Sequence, residues 1–285
     1  ALCNPGLRPR HWDDISTIVG FAMEPDSSFT LSRVIDMEVG KHLEALQEIS
    51  DSAAKEYNIE KSLDSQLAEW EPIICEFKPW RDTGTFILSG NTVDETQTLL
   101  DDHIIKTQTM RGSPYAKPFE KHLTDWENYL RGVQDIVDVW LKVQTVWLYL
   151  EPIFSSEDIM KQMPTEGQMF REVDAAWRST ISMCTKDPKA LVVFKQEGML
   201  KTLQESNEKL ENVQKGLNDY LETKRLYFPR FFFLSNDNLL EILSETKDPA
   251  RVQPHLNKAF EGINSLDFTG DKKITAIVSA QQEKL

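Results

Sequence analysis

The stretch FEKHLTDWENYLRGVQDIVDVWLKVQTVWLYL, residues 119–150, decides the fold class. Phe119, Leu123, Trp126, Leu130, Val133, Val137 and Trp140 recur with alternating steps of four and three. That rhythm places one apolar seam along a helix. From Val133 onward a second set, Ile136, Val139, Val143, Val146 and Leu150, repeats on an adjacent face, so the helix is buried on more than one side. At 1.5 Å per residue the segment spans about 48 Å.

Working outward, the segment from Met199 carries Leu203, Leu210, Val213, Leu217 and Tyr220 in the same rhythm, interrupted by Ser206. Two long helices with matching seams are expected to pack together. Between them, SSEDIMKQM starts with capping serines, and Thr165 with Gln168 forms a capping-box pattern before MFREVDAAWRSTISM. Asp187-Pro188 and Asp248-Pro249 each set a capping residue before a proline suited to a first helical turn.

On the N-terminal side, three shorter helices are expected, around HWDDISTIVG, EVGKHLEALQEISDSAAKEY and IEKSLDSQLAEWEPI, the last capped by Asn58. Residues 73–90 hold two β-prone runs about Asp82, Thr83 and Gly84, which reads as a β-hairpin. Asn91 and Thr92 then cap a helix ending near Gly112, Ser113 and Pro114. A terminal hairpin is expected around Thr269, Gly270 and Asp271. The expected whole is mainly α, an elongated arched stack of helical bundles with small β-hairpins. It divides into an N-terminal part (1–116), a central long-helix bundle (117–245) and a C-terminal edge (246–285).

Composition narrows the function classes. A chain of 285 residues with 40% hydrophobic content can bury a substantial core. Its net charge of −14 repels nucleic acid and anionic lipid, so neither is an expected partner. Cys3, Cys75 and Cys184 lie far apart without a CxxC pair, as expected of reduced thiols inside a cell. The opening ALCNPGLRPRHWDD has no targeting pattern and reads as an excised piece of something longer, as does the end at Leu285.

The search for chemistry yields no reaction. A phosphate-binding loop needs GxxxxGK[ST]; Gly84 and Gly90 are followed by Asn91, and Gly40-Lys41-His42 has Ile35 where the earlier glycine would stand. Asp101 and Asp102 begin a DDxxD pattern that fails at Ile105, and His103 beside them reads as part of a solvated face. His11, His42, His122 and His255 lack metal-ligand spacing. No catalytic, cofactor-binding or metal-binding residue is assigned.

The other conspicuous feature is RLYFPRFFFLSNDNLLEIL, residues 225–243. Polar residues interrupt it too often for a membrane span. Pro229 ends the second long helix and Ser235 caps the next, so Phe228, Pro229, Arg230, Phe231, Phe232 and Phe233 sit at a junction. Core packing at the bend is the expected role, with an interface surface as the alternative.

These motifs, in order, resemble the linker region of dynein heavy chains. NPGLRPRHW at the start, VWLYLEPIFSSEDIMKQMPTEGQMF, YLETKRLYFPRFFFLSNDNLLEIL and VQPHLNKAFEGINSLDF extend the resemblance over essentially the whole chain. LSNDNLLEILSETKDP is similar to axonemal members, which implies a cilium or flagellum axoneme and an inner-arm type. The resemblance implies a non-catalytic lever across a ring of AAA+ ATPase modules, with ATP and magnesium bound in that ring. It also implies a tail with associated chains and a microtubule reached through a distant stalk. Candidate hinges are Gly132, Asp187, Pro188, Gly198 and Gly216; candidate ring-docking residues are Arg10, His11 and Trp12. A helical scaffold or tether of an intracellular assembly would carry the same seams and is the alternative.

Overall fold

The computed structural model describes residues 2–23, 30–244, 252–271 and 273–285. In chain order the elements are α1 (Pro9–Val19), α2 (Leu31–Asp36), α3 (Leu43–Trp70), β1 (Phe77–Pro79), β2 (Phe86–Leu88), α4 (Gly90–Arg111) and α5 (Glu120–Phe154). There follow α6 (Glu157–Gln162), α7 (Pro164–Cys184), α8 (Ala190–Val193), α9 (Met199–Tyr227), α10 (Asn236–Ser244), α11 (Gln253–Ala259), β3 (Ser265–Phe268) and β4 (Ile274–Val278). The fold is mainly α, with two small two-stranded sheets, β1–β2 and antiparallel β3–β4. Both hairpins stand where the turn residues place them. The expected helix start at Asp248-Pro249 lies outside the described residues.

The chain divides into two compact units, each discontinuous in sequence. The first comprises residues 1–76, 88–135 and 187–195; the second comprises 77–87, 136–186 and 196–285. The long helix α5 contributes residues to both, a division that consecutive stretches of sequence do not contain.

In the first unit, Trp12, Ile15, Met23, Val39 and Leu46 form a core. The two helices expected over 38–73 are one: α3 runs unbroken for 28 residues through Asn58. Leu46, Ser50, Ala53, Glu56, Ile59, Leu63, Gln66 and Trp70 form a continuous buried stripe, and Asn58 points to solvent, where its side chain costs the helix little. Helix α4 begins at Gly90, after Ser89, so Asn91 and Thr92 lie inside it. The Thr92 hydroxyl instead accepts the Glu76 amide at 2.9 Å.

A buried polar network ties α3, α4 and the first half of α5. Gln66 Oε1 accepts from the Trp126 indole (2.8 Å) and the Thr107 hydroxyl (3.1 Å). Glu127 is buried and takes Arg111 and Arg131 as charge partners. Arg111 is the main reason its carboxyl lies below the ordinary glutamate range. The solvated face expected around His103 is corrected here: the ring is fully buried. Trp70 Nε1–H donates to Nδ1 at 3.0 Å, which leaves the ring proton on Nε2, 3.2 Å from Glu69.

The second unit is a stack of long helices. The seam of α9 is buried at Met199, Leu203, Ser206, Leu210, Val213, Leu217 and Leu221. Ser206 does not break it, because its hydroxyl donates to the Thr202 carbonyl at 2.8 Å. The principal partner of α9 is α7 rather than the other long seam helix. Aromatic side chains join α7 in turn to the second half of α5. Trp177 stacks on Trp147 at 5.5 Å and meets Trp140 edge-on at 5.9 Å, while Phe154 stacks on Phe170 at 5.3 Å. The capping box expected at Thr165 does not form. Pro164 opens α7 two residues before the start that box would set, since a first-turn proline loses no helical hydrogen bond.

Candidate functional site

Three regions bear on function: an N-terminal clamp, the expected hinges, and the aromatic turn after α9. The clamp explains in physical terms why the opening residues have their identity. Asn4 Nδ2 donates to the Ser50 carbonyl (2.6 Å) and hydroxyl (3.1 Å) on α3, and its Oδ1 accepts the Gly6 amide (2.9 Å). Gly6 lies against α3 so closely that a Cβ there would sit 2.4 Å from the Ala53 carbonyl oxygen. Arg8 then pairs with Glu60 and Arg10 with Glu56.

Of the three docking candidates, only Arg10 is at the surface, its guanidinium 6.0 Å from the Phe119 ring centroid. His11 is buried, accepting the Arg8 amide at Nδ1 (3.0 Å) with Nε2 3.1 Å from Glu56. Trp12 belongs to the core of the first unit. The sequence reading missed Asn4, Gly6 and Glu56. Asn4-Pro5-Gly6 is a turn signal that would have suggested a close approach.

The hinge candidates differ in their surroundings. Around Gly132 on α5 an added Cβ would meet nothing within 4 Å. At Gly216 it would fall 2.6 Å from the Glu166 side chain, so this glycine makes room for α7 to approach α9. Gly198 precedes α9 as its N-terminal cap with φ +78°, a left-handed conformation that favours glycine. Asp187 and Pro188 do not begin a helix. The Pro188 carbonyl accepts the Cys75 amide (2.7 Å), Lys189 bridges to Ile74, and α8 starts only at Ala190.

The aromatic turn overturns the expectation of core packing. After α9 ends at Tyr227, Pro229–Phe233 form a single 3₁₀ turn with no buried residue. Phe228 is 40% exposed, Phe232 52%, Phe233 70% and Tyr227 91%. Among the described residues, Phe228 meets Phe231 edge-on at 4.9 Å and lies 6.3 Å from Phe260. Arg230 lies over the Phe260 ring at 4.6 Å and donates to the Ala259 carbonyl at 3.0 Å. A 3₁₀ turn sends consecutive side chains about 120° apart, so three successive phenylalanines cannot all face inward. Ser235 does open α10 as expected, accepting the Asn238 amide at its hydroxyl and that of Leu239 at its carbonyl.

A cavity of about 700 Å³ in the first unit is lined by Leu63, Leu67, Trp126 and Leu191 together with Asp64 and Asp125. Burial pushes the Tyr129 hydroxyl beside it up to about 12. In the second unit burial raises the Cys184 thiol to about 11, which keeps it protonated at neutral pH. Among the described residues no group of three potential metal ligands is gathered, and no helix is long and apolar enough to cross a membrane.

The sequence matches the family described as Dynein heavy chain, N-terminal region 2, over residues 1–285. It is 54% identical over 281 residues to dynein axonemal heavy chain 3 of Homo sapiens, covering 99% of this chain and 7% of that protein. To dynein axonemal heavy chain 12 of Homo sapiens it is 54% identical over 279 residues, covering 98% and 9%. Dynein axonemal heavy chain 1 of Homo sapiens is 44% identical over 284 residues, covering 100% and 7%. The chain thus spans less than a tenth of the length of the curated relatives it matches. Clamp residues, long helices and aromatic turn all lie within the matched region, and the chain belongs to the dynein heavy chain family as its N-terminal region 2.

Proposed function

We propose that the chain is the linker of an axonemal dynein heavy chain, a lever that bends and straightens across an AAA+ ring. ATP and magnesium are handled in that ring, and the tail with its associated chains carries the resulting pull. A stalk elsewhere in the polypeptide reaches the microtubule. The observation that carries this reading is the α5–α7–α9 stack of the second unit, braced by Trp140, Trp147 and Trp177. A lever transmits force only if it resists bending, and a stack packed at near-crystal density resists it because bending separates touching side chains. The cilium or flagellum axoneme as its place of work belongs to the same reading.

Compliance is assigned to Gly132, where added volume meets nothing, and to the stretch from Asp187 through Pro188 to Gly198. Gly216 is the weaker hinge, because its lack of a side chain serves the packing of Glu166. Arg10 is the residue through which the clamp region would dock on the ring. The test is a full-length motor carrying one fluorophore on an exposed α9 residue such as Lys201 and one on the ring. Two nucleotide-dependent separations, with slower microtubule gliding in Gly132→Ala, support the lever. A single separation in every nucleotide state overturns it.

A further inference from the structure

Residues 223–236 carry Lys224, Arg225 and Arg230 and no acidic residue, in a chain whose net charge is −14. Over the same turn Leu226, Tyr227, Phe228, Phe232 and Phe233 are exposed. Arg225 donates to the Leu234 carbonyl (3.2 Å) and Asn236 Oδ1 (2.7 Å), and Arg230 to the Ala259 carbonyl. These acceptors are neutral. They fix the direction of each guanidinium without cancelling its charge.

The turn is preorganised as well as exposed. Phe231 donates its amide to the Phe228 carbonyl (2.9 Å) and Leu234 to that of Phe231 (3.1 Å), while Leu234 is anchored in the core. Little conformational freedom therefore remains to be lost on binding. An exposed apolar patch marks an interaction surface, and Tyr, Phe and Arg are the residues that dominate the centres of such surfaces.

We propose that this turn docks an acidic, apolar-bearing face of the same heavy chain lying outside residues 1–285. Charge complementarity selects the acidic partner: among the described residues Arg225 and Arg230 are held by neutral acceptors and Lys224 lies over the Tyr220 ring, on a chain of net negative charge. Chain length selects a partner in cis: more than nine-tenths of each relative lies outside the matched region. A surface on the same polypeptide is held at high effective concentration, so a patch of this size suffices. An anionic bilayer is disfavoured, because lipid-binding clusters carry about four to eight cations and the net charge is repelled. The inference rests on membership of a heavy chain and is independent of the lever reading.

The experiment places a photo-crosslinking phenylalanine analogue at Phe233 in the full-length heavy chain, with the same analogue at exposed Ile105 as control. Illumination followed by peptide mapping is expected to join position 233 to an Asp/Glu-rich segment of the same polypeptide. Arg230→Glu and, separately, Phe232→Ser are expected to lower that yield at least about fivefold. A yield no higher than that at Ile105, or crosslinks only to a separate polypeptide, overturns the proposal. So does co-sedimentation with phosphatidylserine vesicles that disappears in Phe232→Ser, which would assign the turn to lipid. A motor that crosslinks in cis yet shows one label separation in every nucleotide state loses the lever and keeps this contact. The reverse result keeps the lever and loses the contact.

Discussion

Two aromatic clusters of the second unit are built from similar residues and end in opposite environments. Trp140, Trp147 and Trp177 are at most 2% exposed, whereas Phe232 and Phe233 face outward. The difference is spacing. Trp140 and Trp147 stand seven residues apart, two helical turns, so both project from one face of α5 and enclose Trp177 from α7. Phe231, Phe232 and Phe233 are consecutive in a turn of three residues and diverge. Aromatic density by itself does not predict burial; aromatic period does.

The sharpest way to break this contrast is Trp177→Ala. Removing the ring enclosed by both α5 tryptophans is expected to cost about 3–5 kcal/mol, read as the shift in urea midpoint. A loss under about 1 kcal/mol would mean that the stack is not the brace of the unit. Next in size, Gly6→Ala drives a methyl group into the α3 backbone and is expected to cost about 1–3 kcal/mol by the same measurement. An unchanged midpoint would show that the clamp is loose in solution.

Glu127→Gln tests whether the first unit relies on buried charge where the second relies on aromatic packing. The expected loss is about 1–2 kcal/mol near neutral pH, the half-exposed arginines limiting the effect. Since folding lowers the Glu127 pKa, its stabilisation is complete above the unfolded value of about 4.3 and is lost as pH falls through the depressed folded value. Wild type and Glu127→Gln should therefore converge in acid; curves that stay parallel below that pH would remove Glu127 as the cause. The smallest effect is expected at Phe233→Ser, within about 0.5 kcal/mol of wild type. A large loss there would mean that the turn is packed after all.

Legibility followed the same rule of period. The seam from Leu123 to Trp140, the seam of α9 and both hairpins were readable, because their signals are local: helical spacing in one case and turn residues in the other. His103 was not. It belongs to a stripe of Val93, Thr96, Leu100, His103 and Thr107 whose period is helical but whose composition is mostly polar, and its neighbours Asp101 and Asp102 pointed towards solvent. Asn58 misled for the converse reason, as a good capping residue on the exposed face of a helix that the stripe from Leu46 to Trp70 had already made continuous. Of the site residues, Arg10 kept a surface position while His11 and Trp12 turned inward, a distinction that depends on where α3 lies.

By itself the sequence determined the class of the fold, the positions of its long helices and hairpins, and its family, since periodicity and ordered motifs are written along one dimension. Tertiary structure decided which helix α9 would choose, where His103 would go, and that the phenylalanine turn would face outward. Each of those outcomes depends on which residues, distant in sequence, arrive opposite one another. The energy of burying a side chain belongs to that meeting, and no single stretch contains it.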